Sequence, residues 1–186
     1  MHVILIAVIS LDGRLTPPGQ EGPGFASDED QAWYRQVLQD FDGAIMGRTT
    51  FETARDDILA SNRSRFFRLV ATHAPERFAG DRRPGALEFA SGTPRTLLDT
   101  LASRGCTRCA LLGGGHVYRD FLDADLVDAL WLTVEPVILG GGTPLADGGT
   151  VRDGRYRLGE MRLLGPDTLL LNYHRPGRSR IPLPPA

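Results

Sequence analysis

The chain has 186 residues and a formal charge of −2, with ordinary apolar (41%) and charged (24%) fractions that show no sign of disorder. That length suits one domain able to bury a sizeable core. The near-neutral charge argues against nucleic acid or an anionic membrane as partner, and no apolar run approaches the roughly 20 residues that span a bilayer.

Met1-His2-Val3-Ile4-Leu5 lacks a basic n-region and a small-residue cleavage site, so a strand and a cytoplasmic protein are expected. His2 to Ile9 is almost continuously apolar, as in a strand buried on both faces. Thr16 to Gly24 is a Gly/Pro-rich loop. Ser27-Asp28-Glu29-Asp30 then reads as a capping box, followed at helical spacing by Trp33, Val37, Leu38 and Phe41. Ala44-Ile45-Met46 is a short buried strand that ends at Gly47-Arg48-Thr49-Thr50, where a second helix begins.

Phe67 to Ala71 and Leu87 to Ala90 read as strands, with a surface turn at Gly80 to Gly85 between them. Thr93-Pro94 opens a helix that Gly105 stops. Ala110-Leu111-Leu112 is a strand running into Gly113-Gly114-Gly115 and a helix bearing Val117, Tyr118, Phe121 and Leu122. Leu130 to Val134 is a strand, and Tyr156 to Leu164 with Thr168 to His174 flank a Gly165-Pro166-Asp167 hairpin. The alternation predicts an α/β fold of three layers. Its sheet is mixed but mostly parallel, with helices on both faces and an antiparallel C-terminal hairpin. One domain is expected over 1–175, followed by a mobile Pro/Arg-rich tail over 176–186 with nothing to bury.

All 21 basic residues are Arg, so Schiff-base catalysis and a Lys phosphate ligand are excluded. Cys106 and Cys109 form one Cys-x-x-Cys pair, half of a zinc site, and no metal site is expected. Two loops carry the candidate chemistry. At Gly113-Gly114-Gly115-His116-Val117-Tyr118, consecutive glycines let backbone amides approach a ligand where a helix N-terminus adds partial positive charge. A tight turn would use the same residues. At Gly47-Arg48-Thr49-Thr50 an Arg and two hydroxyls stand in the same place and suit a nucleotide phosphate; an N-cap Thr beside a solvated Arg is the alternative. Open α/β sheets hold ligands at this edge.

These residues also carry a resemblance. Gly47-Arg48-Thr49-Thr50-Phe51-Glu52 and Leu112-Gly113-Gly114-Gly115-His116-Val117-Tyr118 resemble the two cofactor loops of dihydrofolate reductases. Asp30-Gln31-Ala32-Trp33-Tyr34 resembles the helix start bearing that family's catalytic carboxylate, and Trp131-Leu132-Thr133 the strand whose Thr supports it. Ser10-Leu11-Asp12-Gly13-Arg14 and Pro136-Val137-Ile138-Leu139-Gly140-Gly141-Gly142, with Thr143-Pro144-Leu145, are similar to a sister family. That relative is the reductase domain of the riboflavin-pathway deaminase-reductase. The chain departs from that family in having Ile6-Ala7-Val8-Ile9 where a Lys is frequent, and Gly113 where Glu is common.

The resemblance implies NADPH along the carboxyl edge of the sheet, contacted by Ala7, Val8, Gly47, Arg48, Thr49, Thr50, Thr72, Gly113, Gly114, Gly115, His116, Val117 and Tyr118. Asp30 and Thr133 are the implied catalytic residues, and Ser10, Asp12 and Asp30 the implied substrate contacts. His73 and His116 are further candidates for cofactor phosphates. The implied substrate is a small nitrogen heterocycle of the 5-amino-6-(5-phosphoribosylamino)uracil type, with a dihydrofolate or pteridine substrate as alternative. A non-catalytic NADPH-binding protein is the alternative from another class. Family likeness over Leu130 to Gly142 implies a homodimer. Asp30 keeps two readings: proton-handling group, or cap of its own helix.

Overall fold

A computed structural model describes residues 1–61, 65–149, 151 and 154–184. Eight strands form one sheet in the order β4-β3-β2-β5-β1-β6-β8-β7. They are β1 (His2–Ser10), β2 (Gly43–Gly47), β3 (Phe67–Ala71), β4 (Leu87–Ala90), β5 (Arg108–Leu111), β6 (Ala129–Glu135), β7 (Arg157–Leu163) and β8 (Leu169–His174). All pairings are parallel except β6 with β8 and β8 with β7. The mostly parallel sheet with an antiparallel C-terminal hairpin is the architecture expected from the alternation of apolar runs.

Helices cover both faces. Val3, Leu5, Ala7, Ile45, Leu69 and Leu111 point to one face, which α4 (Pro94–Ser103) and α5 (Gly115–Asp123) cover with Leu97, Leu98, Leu101, Tyr118 and Phe121. Ile4, Ile6, Ala44, Ala129 and Trp131 point to the other face, against Val37 of α1 (Asp28–Val37) and Phe41 beyond it. Phe51 of α2 (Arg48–Thr53) extends that layer with Met46, Val70 and Phe78; α3 (Arg55–Ala60) follows directly. Successive strand residues thus serve opposite layers, which is why β1 and β2 read as unbroken apolar runs.

The C-terminal tail departs from expectation. Ile181 and Leu183 are buried in the α1 layer, Asn172 Nδ2 donates to the Ile181 carbonyl, and Arg162 reaches the Pro184 carbonyl. Arg178 pairs with buried Asp128 at 2.8 Å, and Arg175 pairs with Asp125. A tail rich in Pro and Arg looked as though it had nothing to bury. Two isolated aliphatic residues among prolines carry no periodicity, yet they fill a gap in the second layer.

One irregularity opens the site. β1 pairs with β6 from Ile4 to Ser10, but with β5 only from His2 to Leu5. Beyond Leu111 the chain swings away through Gly113 and Gly114, whose peptide bond is cis. The upper half of β1 therefore has a free edge toward the gap. His2 donates to Thr107 beside β5, whereas the Val3 carbonyl accepts from Asp128 beside β6. By alternation, the peptide groups of Ile6 and Val8 face the gap.

Candidate active site

A cleft of about 1580 Å³ runs along the carboxyl edge of the parallel strands, as open α/β sheets dictate. Its walls include Ala7 and Val8 of β1, Gly47 to Thr50, Thr72 and His73 after β3, and Gly113 to Tyr118. The expected cofactor residues are thus brought together. The loop after Asp12 contributes Leu15, Thr16 and the stretch from Gln20 to Gly24.

The two Gly loops interlock. Gly47 N donates to the Gly113 carbonyl at 2.6 Å, and a Cβ on Gly47 would crowd Val117 at 3.1 Å. Gly113 has φ +89° and lies on the Tyr118 ring, whose hydroxyl donates to the Ile6 carbonyl at 2.6 Å. Tyr118 therefore lines the cleft with its ring while its hydroxyl ties α5 to β1. Gly115, His116 and Val117 open α5, and their amides lack intrahelical acceptors. Arg48 holds Glu52 at 2.5 Å and remains half exposed at the cleft. Thr49, Thr50, Thr72, Arg77 and Ser91 add polar groups along the same wall. A long cleft with amide donors at its centre and an Arg toward the β3 side fits an extended dinucleotide.

Asp30 lies in the first turn of α1, only 5% exposed, and contributes to the cleft wall. Ser27 caps the helix, its hydroxyl accepting from the Asp30 amide at 3.2 Å. The reciprocal half of a capping box is absent. The Ser27 amide donates to Glu135 Oε1 at 3.0 Å, and the Asp30 carboxyl meets the Thr133 hydroxyl at 2.5 Å. Burial pushes the Asp30 carboxyl up to about 6; the Thr133 hydroxyl works against this and the Glu135 charge adds to it. Thr133 is wholly buried and lies behind Asp30, outside the cleft wall. Its hydroxyl reaches the cleft through the Asp30 carboxyl.

Ser10 and Asp12, expected as substrate contacts, join two loops beside the cleft. Neither lies in the cleft wall. The buried Ser10 hydroxyl donates to Asp12 Oδ1 at 2.7 Å and accepts from the Arg14 amide at 2.9 Å. The Asp12 carboxylate accepts from the amides of Leu139 and Gly140 at 3.0 and 2.9 Å. Those donors hold Asp12 low, at about 2. The residues clamp the first loop to the loop after β6. Nearby, Thr16 contacts Thr143, and a Cβ on Gly142 would overlap the Thr16 carbonyl.

Several site residues escaped sequence reasoning. Glu135, 3% exposed, shares a sheet face with Thr133 because the two are separated by two positions on β6. That spacing of two polar side chains in an apolar strand was a signal. Arg35, on the helix that carries Asp30, and Arg68, inside β3, also line the cleft. Arg68 sits over the Phe66 ring and reaches Ser61. Cys106 and Cys109 are buried free thiols away from the cleft wall, and burial pushes both thiols up. Among the described residues there is no cluster of three metal-ligating side chains, and no helix is long and apolar enough to cross a membrane.

Known proteins share this architecture. A putative riboflavin biosynthesis protein from Shewanella sp. PV-4 superposes with a TM-score of 0.71 at 21% identity, over 94% of this chain and 99% of its own. A pyrimidine reductase-like protein from Corynebacterium diphtheriae gives 0.68 at 19% identity, over 94% and 91%. A Thermotoga maritima diaminohydroxyphosphoribosylaminopyrimidine deaminase/5-amino-6-(5-phosphoribosylamino)uracil reductase gives 0.74 at 14% identity, over 94% of this chain and 56% of that one. The uncharacterized protein YwjB of Bacillus subtilis is 25% identical over 147 residues, 76% of this chain and 80% of YwjB. Residues 1–170 match the RibD C-terminal domain. With that match over nearly the whole fold, the chain belongs to the RibD C-terminal domain family.

Proposed function

We propose that the chain is an NADPH-dependent reductase of the 5-amino-6-(5-phosphoribosylamino)uracil reductase type. The observation that carries this reading is one continuous cleft joining two glycine loops, which suit a dinucleotide, to a buried carboxyl whose affinity for a proton is raised. Family membership and the names of the structural neighbours support it.

The amides opening α5, with Thr49 and Thr50, would hold the diphosphate of a bound dinucleotide, and Arg48 and Thr72 would face its adenosine side. The peptide edge at Val8 offers one donor and one acceptor, complementary to a carboxamide. When bound, the reduced nicotinamide supplies a hydride. The loop from Leu15 to Gly24 covers the reacting end and excludes water. Asp30 then gives its proton to the substrate nitrogen as the neighbouring carbon is reduced, leaving Asp30 as a carboxylate that still accepts from Thr133. Arg35 in the cleft wall suits an anionic substituent such as a ribosyl phosphate.

The protein acts as a homodimer in this reading. Leu158, Met161 and Leu163 of β7 stand opposite Tyr173, Leu171 and Leu169 of β8, which stand opposite Leu130, Leu132 and Val134 of β6. All share one sheet face, and on β7 they are more than half exposed. A second copy covering that face twofold symmetrically removes this apolar surface from water.

The test is NADPH oxidation by the full chain with 5-amino-6-(5-phosphoribosylamino)uracil and, separately, with dihydrofolate. Oxidation with the uracil derivative alone is expected. Oxidation only with dihydrofolate would make the chain a pteridine reductase. Stoichiometric NADPH binding with oxidation by neither would make it a binding protein.

A further inference from the structure

The first turn of α1 begins with a hydroxyl N-cap and an acid three residues on, the pattern in which the acid folds back onto the N-cap amide. Here that amide is already occupied. Glu135 Oε1 accepts from the Ser27 amide at 3.0 Å and the Ser27 hydroxyl at 2.7 Å, while Oε2 accepts from the Thr168 hydroxyl at 2.8 Å. The Ser27 and Thr168 hydroxyls also meet, at 3.1 Å. A buried carboxylate needs such donors, and Glu135 obtains them from a helix start and from the residue that precedes β8. We propose that Glu135 is a positioning residue of the site: it occupies the capping contact open to Asp30, and so keeps the Asp30 carboxyl on Thr133 and at the cleft. The role deepens the reading of Asp30 as proton donor and rests on it.

Two consequences follow from the geometry. Without a partner in Glu135, the Ser27 amide would draw the Asp30 carboxyl back onto its own helix. And Glu135, which accepts three hydrogen bonds, sets a like charge near Asp30. The groups facing Asp30 are Thr133 and Glu135 of β6 and the cap at Ser27, with Asp28 and Glu29 in its own turn.

The test separates position from charge. Glu135→Gln keeps an oxygen for both Ser27 donors and offers its amide to the Thr168 oxygen, but removes the charge. Glu135→Ala removes the contact altogether. Asp30 is titrated through its carboxyl carbon by NMR in the full chain, with no ligand, so the result does not depend on knowing the substrate. In Glu135→Gln the Asp30 midpoint should fall by about half a pH unit or more, the direction for loss of a like charge. In Glu135→Ala it should fall further, toward the range of an ordinary helix-capping Asp, as the carboxyl takes the Ser27 amide. An Asp30 midpoint that falls no further in Glu135→Ala than in Glu135→Gln, or that is unchanged in both, would overturn the proposal. Reductase activity is read separately. If Asp30→Asn abolishes turnover while the Glu135 variants leave the Asp30 titration unmoved, this inference fails alone. If the titration moves but Asp30→Asn retains turnover, the reading of Asp30 as proton donor fails instead.

Discussion

Asp12 and Asp30 are the same residue type near the same edge of the sheet, each held by a hydroxyl side chain, and they end in opposite states. Asp12 accepts from Ser10 and from two backbone amides, and its carboxyl sits at about 2. Among the described residues Asp30 accepts from Thr133 alone; it is buried, and its carboxyl sits at about 6. The number of donors aimed at a carboxylate, weighed against its burial, decides whether it fastens structure or is free to handle a proton. Both residues fall in family motifs; only their surroundings separate a clamp from a candidate acid.

The largest effect that would break this contrast is on turnover. Asp30→Asn should lower kcat by about 10²–10⁴, the usual worth of general acid–base catalysis, with NADPH affinity unaltered. Steady-state kinetics on the substrate that oxidises NADPH checks it, and a wild-type kcat would return Asp30 to the helix cap.

The second effect is on stability. The folded-state pKa of Asp30 is raised from 3.8 to about 6, so the native state binds its proton more tightly than the unfolded chain. Its contribution is fully present below pH 3.8 and is lost as pH rises through about 6, a loss of about 3 kcal/mol for a shift of this size. Asp30→Asn should therefore unfold at higher denaturant than wild type at pH 8, with the difference closing toward pH 4. Asp12 runs the other way. Its depressed pKa contributes stability above pH 3.8 that is lost as pH falls through about 2. Asp12→Asn should acid-unfold at higher pH than wild type while its NADPH affinity stays the same, because Asp12 is outside the cleft wall. Loss of cofactor binding in that variant would place Asp12 back in the site.

Arg48 sharpens the comparison on the cofactor side. Arg48→Ala should weaken NADPH by about 1.5–3 kcal/mol, the range for a hydrogen bond to a charged group, and leave NADH nearly unchanged. Titration calorimetry with both cofactors reads this directly, and equal losses would remove Arg48 from the adenosine phosphate. The smallest effect on the chemistry is expected from Leu163→Arg on the exposed β7 face. It should convert a dimer to a monomer in sedimentation while NADPH binding persists. An unchanged sedimentation coefficient would move the interface elsewhere.

Much of the fold was legible. Phe67–Ala71 and Leu87–Ala90 occupy the bounds their apolar runs suggest, and the two glycine loops stand at strand ends because a buried strand followed by Gly and a helix is a local pattern. What depended on distant contacts was not. The early departure of β5 from β1 at Leu111, which opens the cleft, is a matter of sheet register. Ser10 and Asp12 carried a family motif, but the amides of Leu139 and Gly140 that hold Asp12 lie more than 120 residues away. Ile181 and Leu183 have no period to announce burial. Ser27-Asp28-Glu29-Asp30 looked like a closed capping box because Glu135, which takes the Ser27 amide, enters from another strand.

The most direct test of the central claim is the pH dependence of single-turnover hydride transfer from NADPH, in wild type and in Asp30→Asn. With Asp30 as proton donor, the wild-type rate should be level below about pH 6 and fall roughly tenfold per pH unit above it, while the Asn variant is slow and loses this break. A wild-type rate that is flat from pH 5 to 8, or an Asn variant that shows the same break, would contradict the account.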